Sequence, residues 1–338
     1  MERRLDSKLD LRDYPYVDIL VPVFNEEEAA PAFHRQLFQA LEGLPFRFRV
    51  IYINDGSTDR TQDVLERIAA QDARVLVIEL SRNFGHQAAL TAGIDAADAD
   101  YVISMDGDGQ HPPDLIPEML RLAALGYDIV LTQRKEVHPP PFFKRFTSDL
   151  FYRLINRVGE TQIVPGSADF RLLNRSSLEA LRRMPEYHRF LRGMVAWMGF
   201  RTIILPFEPP IRLAGKSKYS LRKMLRLARD AIFSFSLVPL YIGLSLGLLM
   251  LLLAFFEMVY VLSFWLTGNV AHLAPGWSSL MFVILVIGGI LMILLGFIGM
   301  YAGFIFQEVK RRPIYLIRRV ISNDAVTATR NREDRPEA

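Results

Sequence analysis

Three short apolar runs in this chain end in carboxylates. Glu26 follows Ile19–Asn25, Asp55 and Asp59 follow Val50–Asn54, and Asp106 and Asp108 follow Val102–Met105. Bare carboxylates repel a diphosphate. They become useful when a divalent cation mediates, because Mg²⁺ takes one or two carboxylates together with substrate phosphates. The sharpest segment is Ser104-Met105-Asp106-Gly107-Asp108-Gly109-Gln110-His111. An Asp-x-Asp pair at a strand end directs two carboxylates into one crevice, where a metal can bridge them to a diphosphate. Many such pairs elsewhere are solvated turns. Here the position after a strand, with acids ending two earlier strands, favours chemistry. No G-x-G-x-x-G follows the first run and no G-x-x-x-x-G-K-[ST] occurs, which argues against a dinucleotide oxidoreductase and a P-loop hydrolase. The chain has no cysteine, so thiolate metal sites and disulfides are excluded. His86 and His111 read as structural hydrogen-bonders rather than metal ligands.

The elements that must carry these residues alternate. Strands are predicted at Val17–Val23, Arg49–Ile53, Val75–Leu80, Tyr101–Met105 and Asp128–Thr132, and helices at about Glu27–Leu41, Thr61–Ala70 and His86–Ala97. Alternation of this kind predicts an α/β fold, Rossmann-like, with a mostly parallel sheet and helices on both faces. Ligands bind beyond the carboxyl ends of such strands, where the acids fall.

After about residue 230 the pattern changes. Ala231–Phe256 and Met258–Gln307 hold no Asp, Glu, Lys or Arg, and a bilayer core needs about 20 apolar residues in a helix. Two transmembrane helices are expected at about 238–266 and 278–306. The stretch between them, Thr267–Trp277, lacks Lys and Arg, whereas Lys216, Lys218, Arg222, Lys223, Arg226 and Arg229 precede the first span. Lys310, Arg311, Arg312, Arg318 and Arg319 follow the second. The positive-inside rule then sets both termini and the catalytic domain in the cytoplasm, at the inner (plasma) membrane, with Trp265 and Trp277 flanking an outer loop. Glu257 falls near the outer end of the first span, where headgroups or water are in reach. Gly243/Gly247 and Gly299/Gly303 are G-x-x-x-G pairs suited to close helix approach. Phe142–Val158 and Tyr219–Ile232 carry apolar residues at helical spacing with basic residues opposite, as interfacial helices do. The expected organisation is an N-terminal extension (1–16), a catalytic domain (17–215, including the interfacial helix 142–158), a juxtamembrane helix (216–233), the membrane hairpin (234–307), and a C-terminal strand and tail (308–338). The net charge of +3 gives no reason to expect nucleic acid.

In order along the chain stand VPVFNEEE (Val21–Glu28), INDGSTD (Ile53–Asp59), LSRNFGHQAALTAG (Leu80–Gly93), MDGDGQHPPD (Met105–Asp114), SADFRLL (Ser167–Leu173), RFLRG (Arg189–Gly193) and RLAGKSKYS (Arg212–Ser220). This series resembles the polyisoprenyl-phosphate glycosyltransferases of glycosyltransferase family 2, over about Val17–Ile321. The group includes dolichol-phosphate mannose synthase and the bacterial undecaprenyl-phosphate glucosyl- and aminoarabinosyl-type transferases. The resemblance implies a GT-A fold and one sugar transferred from a nucleotide-sugar to a polyisoprenyl phosphate, in the service of cell-envelope glycans or lipids. It leans toward a UDP-sugar and undecaprenyl phosphate, with a GDP-sugar open. It implies that Pro22, Phe24, Glu26 and Asp55 hold the base and ribose, with Asp106 and Asp108 at the donor's diphosphate. Asp106, Asp108 and Gln110 would hold Mg²⁺ or Mn²⁺. Arg134, Arg145, Arg212 and Lys218 would meet acceptor phosphate or diphosphate. Asp169 matches a position with a catalytic role, beside Asp108 and Arg134. Asn54 stands where many relatives carry an acid.

A phosphate acceptor needs little help from a base, because its second pKa is about 6 and it is largely dianionic at neutral pH. Asp169 is therefore expected to position acceptor or sugar. Single displacement would invert the anomeric centre. The Q-x-x-R-W motif of processive synthases is missing, which favours one sugar per acceptor. A lipid hydroxyl acceptor and a non-catalytic membrane scaffold or transporter are the alternatives. Which sugar is used, and whether the chain forms a homo-oligomer, stays open at this level.

Overall fold

The computed structural model describes residues 14–135, 164, 166–187, 189–208, 238–267 and 276–323. These fall into two units: 14–208 with 313–323, and 238–312.

The first unit is built on one sheet. Its strands are β1 (Tyr16–Val23), β2 (Arg47–Asn54), β3 (Val75–Leu80), β4 (Tyr101–Ser104), β5 (Ile129–Arg134), β6 (Ser167–Asn174), β7 (Thr202–Phe207) and β8 (Ile317–Ser322), ordered β7-β5-β6-β4-β1-β2-β3-β8. β1 to β4 are parallel where they pair, as are β5 and β7. β6 runs antiparallel between β4 and β5, so the sheet is mostly rather than wholly parallel. β1 is buried from Val17 to Val23, as a strand covered on both faces must be; its apolar run Ile19–Val23 reflects that, and the buried Asp18 before it is paired with Arg49 at 2.7 Å.

Helices α1 (Ala30–Leu41), α2 (Thr61–Gln71), α3 (His86–Ala96), α4 (Ile116–Ala124), α5 (Arg175–Arg182) and α6 (Leu191–Trp197) complete this unit. Buried Phe33, Leu37 and Leu41 form the inner stripe of α1. That helix begins at Ala30 rather than Glu27, because Glu26 and Glu27 are drawn toward the loop after β2. The Glu26 amide donates to Thr61 Oγ1 at 2.8 Å, and Glu27 Oε2 accepts the Arg60 amide at 3.0 Å. Helix α3 is buried continuously from Ala88 to Ile94. Its small residues allow a close approach, since a Cβ on Gly93 would lie 2.9 Å from Ile53 Cδ1 and 3.3 Å from Leu20 Cδ1.

Strand β8 pairs antiparallel with β3 of its own chain. Arg318 reaches Glu79 at 3.1 Å, Arg319 also pairs with Glu79, and Arg319 reaches Glu66 at 2.9 Å. The Tyr315 hydroxyl donates to Asp95 at 2.9 Å.

The second unit contains α7 (Val238–Leu266) and α8 (Trp277–Lys310). Within α8, Val286–Lys310 is long and apolar enough to cross a membrane, with mean hydropathy 2.2. Gly243 of α7 lies against Leu294 of α8, where a Cβ would come within 2.1 Å of Leu294 Cδ2; Gly247, Gly299 and Gly303 have nothing within 4 Å among the described residues. The amphipathic segments 142–158 and 219–232 lie outside the described residues.

Candidate active site

The chain runs β1, β2, β3 to one side of the sheet and then crosses to β4 on the other side of β1. The crevice beyond the carboxyl ends of β1 and β4 is thus the switch point of the sheet, where open α/β folds bind ligands. Loops after β1, β2 and β4 converge there.

Two of the acids prove to be builders of those loops. Asp55 is buried, and its carboxylate accepts the Phe84 amide at 2.7 Å and the Gly85 amide at 2.9 Å. Burial pushes its pKa up, against the downward pull of those two amides. Asp59 accepts the Thr61 amide at 3.0 Å and the Glu27 amide at 3.4 Å. Asn54 explains its departure from an acid: Oδ1 takes the Ser57 amide at 2.9 Å, while Nδ2 donates to Gln62 at 2.7 Å. A carboxylate has no N–H for Gln62. Gly56 has φ +63°, and a Cβ there would come within 2.3 Å of the Arg82 backbone, so the β2 and β3 loops touch main chain to main chain. Pro22 is buried in β1, whereas Phe24 and Glu26 are partly exposed at its end.

Asp106 and Asp108 lie just past β4. Gly109 between Asp108 and Gln110 has φ 78°, and the Gln110 amide donates to Asp108 Oδ1 at 3.0 Å. His111 is fully buried and accepts the Asp106 amide on Nδ1 at 2.8 Å. Its ring stacks on Phe170 at 5.2 Å. Burial lowers its pKa despite nearby Asp106, which keeps the ring neutral. Arg134, the last residue of β5, approaches Gln110 Oε1 at 3.4 Å and His111 Nε2 at 3.3 Å. Arg134 is thereby brought beside the Asp-x-Asp-x-Gln segment. Arg145, Arg212 and Lys218 lie outside the described residues.

Asp169, in β6, stands across from the end of β4, where Ser104 Oγ donates to its carbonyl at 2.6 Å. Its buried carboxylate receives Arg192 Nη2 at 2.8 Å and Nε at 3.2 Å, and pairs with Arg171. His86 Nε2 lies 3.5 Å from Asp169 and 3.6 Å from Asp106. Burial alone would raise the Asp169 pKa, but Arg192, Arg171 and His86 hold it well below the usual carboxylate range. Burial lowers the His86 pKa, yet its bond to Asp169 and the charge of Asp106 outweigh that and raise it. Sequence reasoning named Asp169 but did not connect Arg171, Arg192 and His86 to it. Arg171 was detectable at i+2 on the same strand face, and Arg192 and His86 lay inside the quoted segments.

The described residues contain no cluster of three or more His, Asp or Glu able to hold a metal. The donors near Asp106 are instead a few hard oxygens: the two carboxylates and the Gln110 carbonyl. That set fits Mg²⁺ or Mn²⁺ whose coordination is completed by substrate phosphates, and not a soft-metal cage.

Residues 18–182 match the profile of glycosyl transferase family 2. The uncharacterized glycosyltransferase sll0501 of Synechocystis sp. is 38% identical over 89% of this chain and 94% of its own. The chain belongs to glycosyl transferase family 2. Other members similar to it include the prophage bactoprenol glucosyl transferase homolog of Escherichia coli K12, 36% identical over 90% of this chain and 99% of its own. The bactoprenol glucosyl transferase of Shigella phage SfV is 36% identical over 89% and 98% respectively. With the family established, the sheet and its switch-point crevice are those of a GT-A glycosyltransferase domain.

Proposed function

We propose that this enzyme transfers a single sugar, with inversion, from a UDP-sugar to undecaprenyl phosphate at the cytoplasmic face of the inner membrane. The observation that carries the reading is the Asp106–Gln110 segment at the switch point with Arg134 beside it. Relatives named bactoprenol glucosyl transferases, similar over nearly their whole length, support a polyprenyl phosphate as acceptor.

Asp106, Asp108 and Gln110 would hold Mg²⁺ or Mn²⁺, which supplies charge stabilisation for the departing diphosphate. Pro22, Phe24, Glu26 and Asp55 line the donor side, with Asp55 acting through the loop it ties to Phe84 and Gly85. Arg134, with Arg145, Arg212 and Lys218, meets the acceptor phosphate, the anion that an Arg fork pairs with bidentately. Asp169 stays ionised but is engaged by Arg171 and Arg192, with His86 beside it, which makes it a poor proton acceptor and suits it to orienting sugar or acceptor. The dianionic acceptor needs no base in any case.

The membrane arrangement belongs to the same proposal. Helices α7 and α8 form a two-span hairpin with Thr267–Trp277 outside, and both chain ends are cytoplasmic. The basic residues on either side of the spans, and the hydropathy of Val286–Lys310, support it. The test is transfer from labelled UDP-sugars to undecaprenyl phosphate by purified protein in detergent. Transfer to a lipid hydroxyl in place of the phosphate would overturn the acceptor assignment.

A further inference from the structure

The buried ring of His111 touches both halves of the site, and its two nitrogens do different things. Nδ1 accepts the Asp106 backbone N–H at 2.8 Å. A backbone amide can only donate, so Nδ1 carries no proton and the ring proton is on Nε2. Nε2 in turn faces Arg134 Nη2 at 3.3 Å. Every guanidinium nitrogen is also a donor. Two donors therefore meet, and this contact is not a hydrogen bond. The Nε2 proton has Asp106 Oδ2 nearby at 3.6 Å, beyond ordinary hydrogen-bond range.

Turning the ring over would forfeit the bond from the Asp106 amide, and its plane is set by aromatic neighbours. The ring stacks on Phe170 at 5.2 Å and 21°, and meets Phe207 edge-on at 6.1 Å. The acceptor that Arg134 finds among the described residues is Gln110 Oε1, and at 3.4 Å that bond is long. A buried neighbour that offered an acceptor would hold the guanidinium firmly, and an incoming phosphate would have to break that bond first.

We propose that His111 is a positioning residue that anchors the Asp106 backbone through Nδ1 and, by presenting Nε2–H, adds no acceptor to the long Gln110 contact, so that the Arg134 guanidinium is weakly held and available to the anionic acceptor. This rests on the reading of Arg134 as a ligand of the acceptor phosphate. His111 itself touches neither substrate in this account. Its effect is to withhold a competing acceptor from a cation that must bind an anion.

Two side-chain amides separate the ring's functions. An Asn amide reaches only to the Nδ1 position, so His111→Asn keeps an acceptor for the Asp106 N–H and presents nothing to Arg134. A Gln amide reaches the Nε2 position, so His111→Gln can offer its oxygen to the guanidinium. Steady-state kinetics in detergent with undecaprenyl phosphate as the varied substrate should show the acceptor KM raised about tenfold or more in His111→Gln, the weight of one hydrogen bond to a charged group. His111→Asn should raise it far less. Nitrogen-15 spectra of histidine-labelled protein, with His111→Asn identifying the signal by its loss, should show Nδ1 bare and Nε2 protonated. Equal rises in the two variants, or a proton on Nδ1, would overturn the inference. Arg134→Gln separates it from the reading beneath. If Arg134→Gln raises the acceptor KM while His111→Gln does not, the reading stands and the inference falls. If Arg134→Gln leaves the acceptor KM unchanged, both fall.

Discussion

Asp169→Asn would remove the negative charge that Arg171 and Arg192 share, with His86 beside it. The Asp169 carboxylate is bound side-on by Arg192 at 2.8 and 3.2 Å, is paired with Arg171, and lies 3.5 Å from His86. Arg192 keeps 30% of its side chain exposed, so water can replace part of what it loses. Arg171, at 4%, has no such recourse. Removing one partner of a buried pair costs about 3–5 kcal/mol. With Arg192 partly screened, the lower end applies, about 3 kcal/mol. In a unit of this size each kcal/mol shifts the unfolding midpoint by about 2–4 °C, so Asp169→Asn should melt about 6–12 °C lower. Thermal unfolding of the purified protein in detergent measures this. The pH dependence follows in sign. A carboxylate with a depressed folded pKa stabilises above the ordinary carboxylate range, and loses that contribution only as pH falls through the depressed value. Between about pH 5 and 8, kcat/KM should therefore show no limb that vanishes in Asp169→Asn. An unchanged midpoint, with turnover lost at neutral pH and restored at high pH, would refute the reasoning and make Asp169 a general base.

Gly56→Ala should lower the unfolding midpoint and raise the donor KM, because a Cβ would meet the Arg82 backbone at 2.3 Å and φ is +63°; at least 1–3 kcal/mol is expected for such backbone strain, roughly, by the same melting assay. Arg318→Ala with Arg319→Ala should also lower the midpoint, since buried Glu79 would lose both its cations; an unchanged midpoint would mean β8 is held by its ladder alone. The chain has no cysteine, so Thr267→Cys gives a single thiol for topology mapping. A membrane-impermeant thiol reagent should label it from outside intact cells, and labelling only after lysis would reverse the proposed orientation.

The parallel half of the fold was legible because its signals are local. β1 to β4 are short, mainly apolar runs alternating with helical stretches, so the limits of these elements differ from expectation by a few residues at most. Where they differ, tertiary contacts explain it, as with Glu26 and Glu27 bonding across to α2 instead of opening α1. The antiparallel course of β6 and the docking of β8 on β3 were not legible, since strand direction and long-range pairing leave no mark on a run such as Ile317–Ser322. The site divided in the same way. Asp106, Asp108 and Gln110 announce themselves by spacing, and Asp55 by motif. That Asp55 spends both oxygens on Phe84 and Gly85, and that Arg171, Arg192 and His86 converge on Asp169, depends on which strand lies beside β4.

The most direct test of the central claim is incubation of purified protein with labelled UDP-sugars, undecaprenyl phosphate and Mg²⁺ or Mn²⁺ in detergent, with Asp108→Ala in parallel. The account predicts label in the lipid phase for the wild type, dependent on the metal and on the acceptor phosphate, and at least a hundredfold less for Asp108→Ala, roughly the loss expected when a key electrostatic contact in the transition state is removed. Metal-dependent nucleotide binding without transfer from any UDP- or GDP-sugar to the lipid phosphate would contradict it.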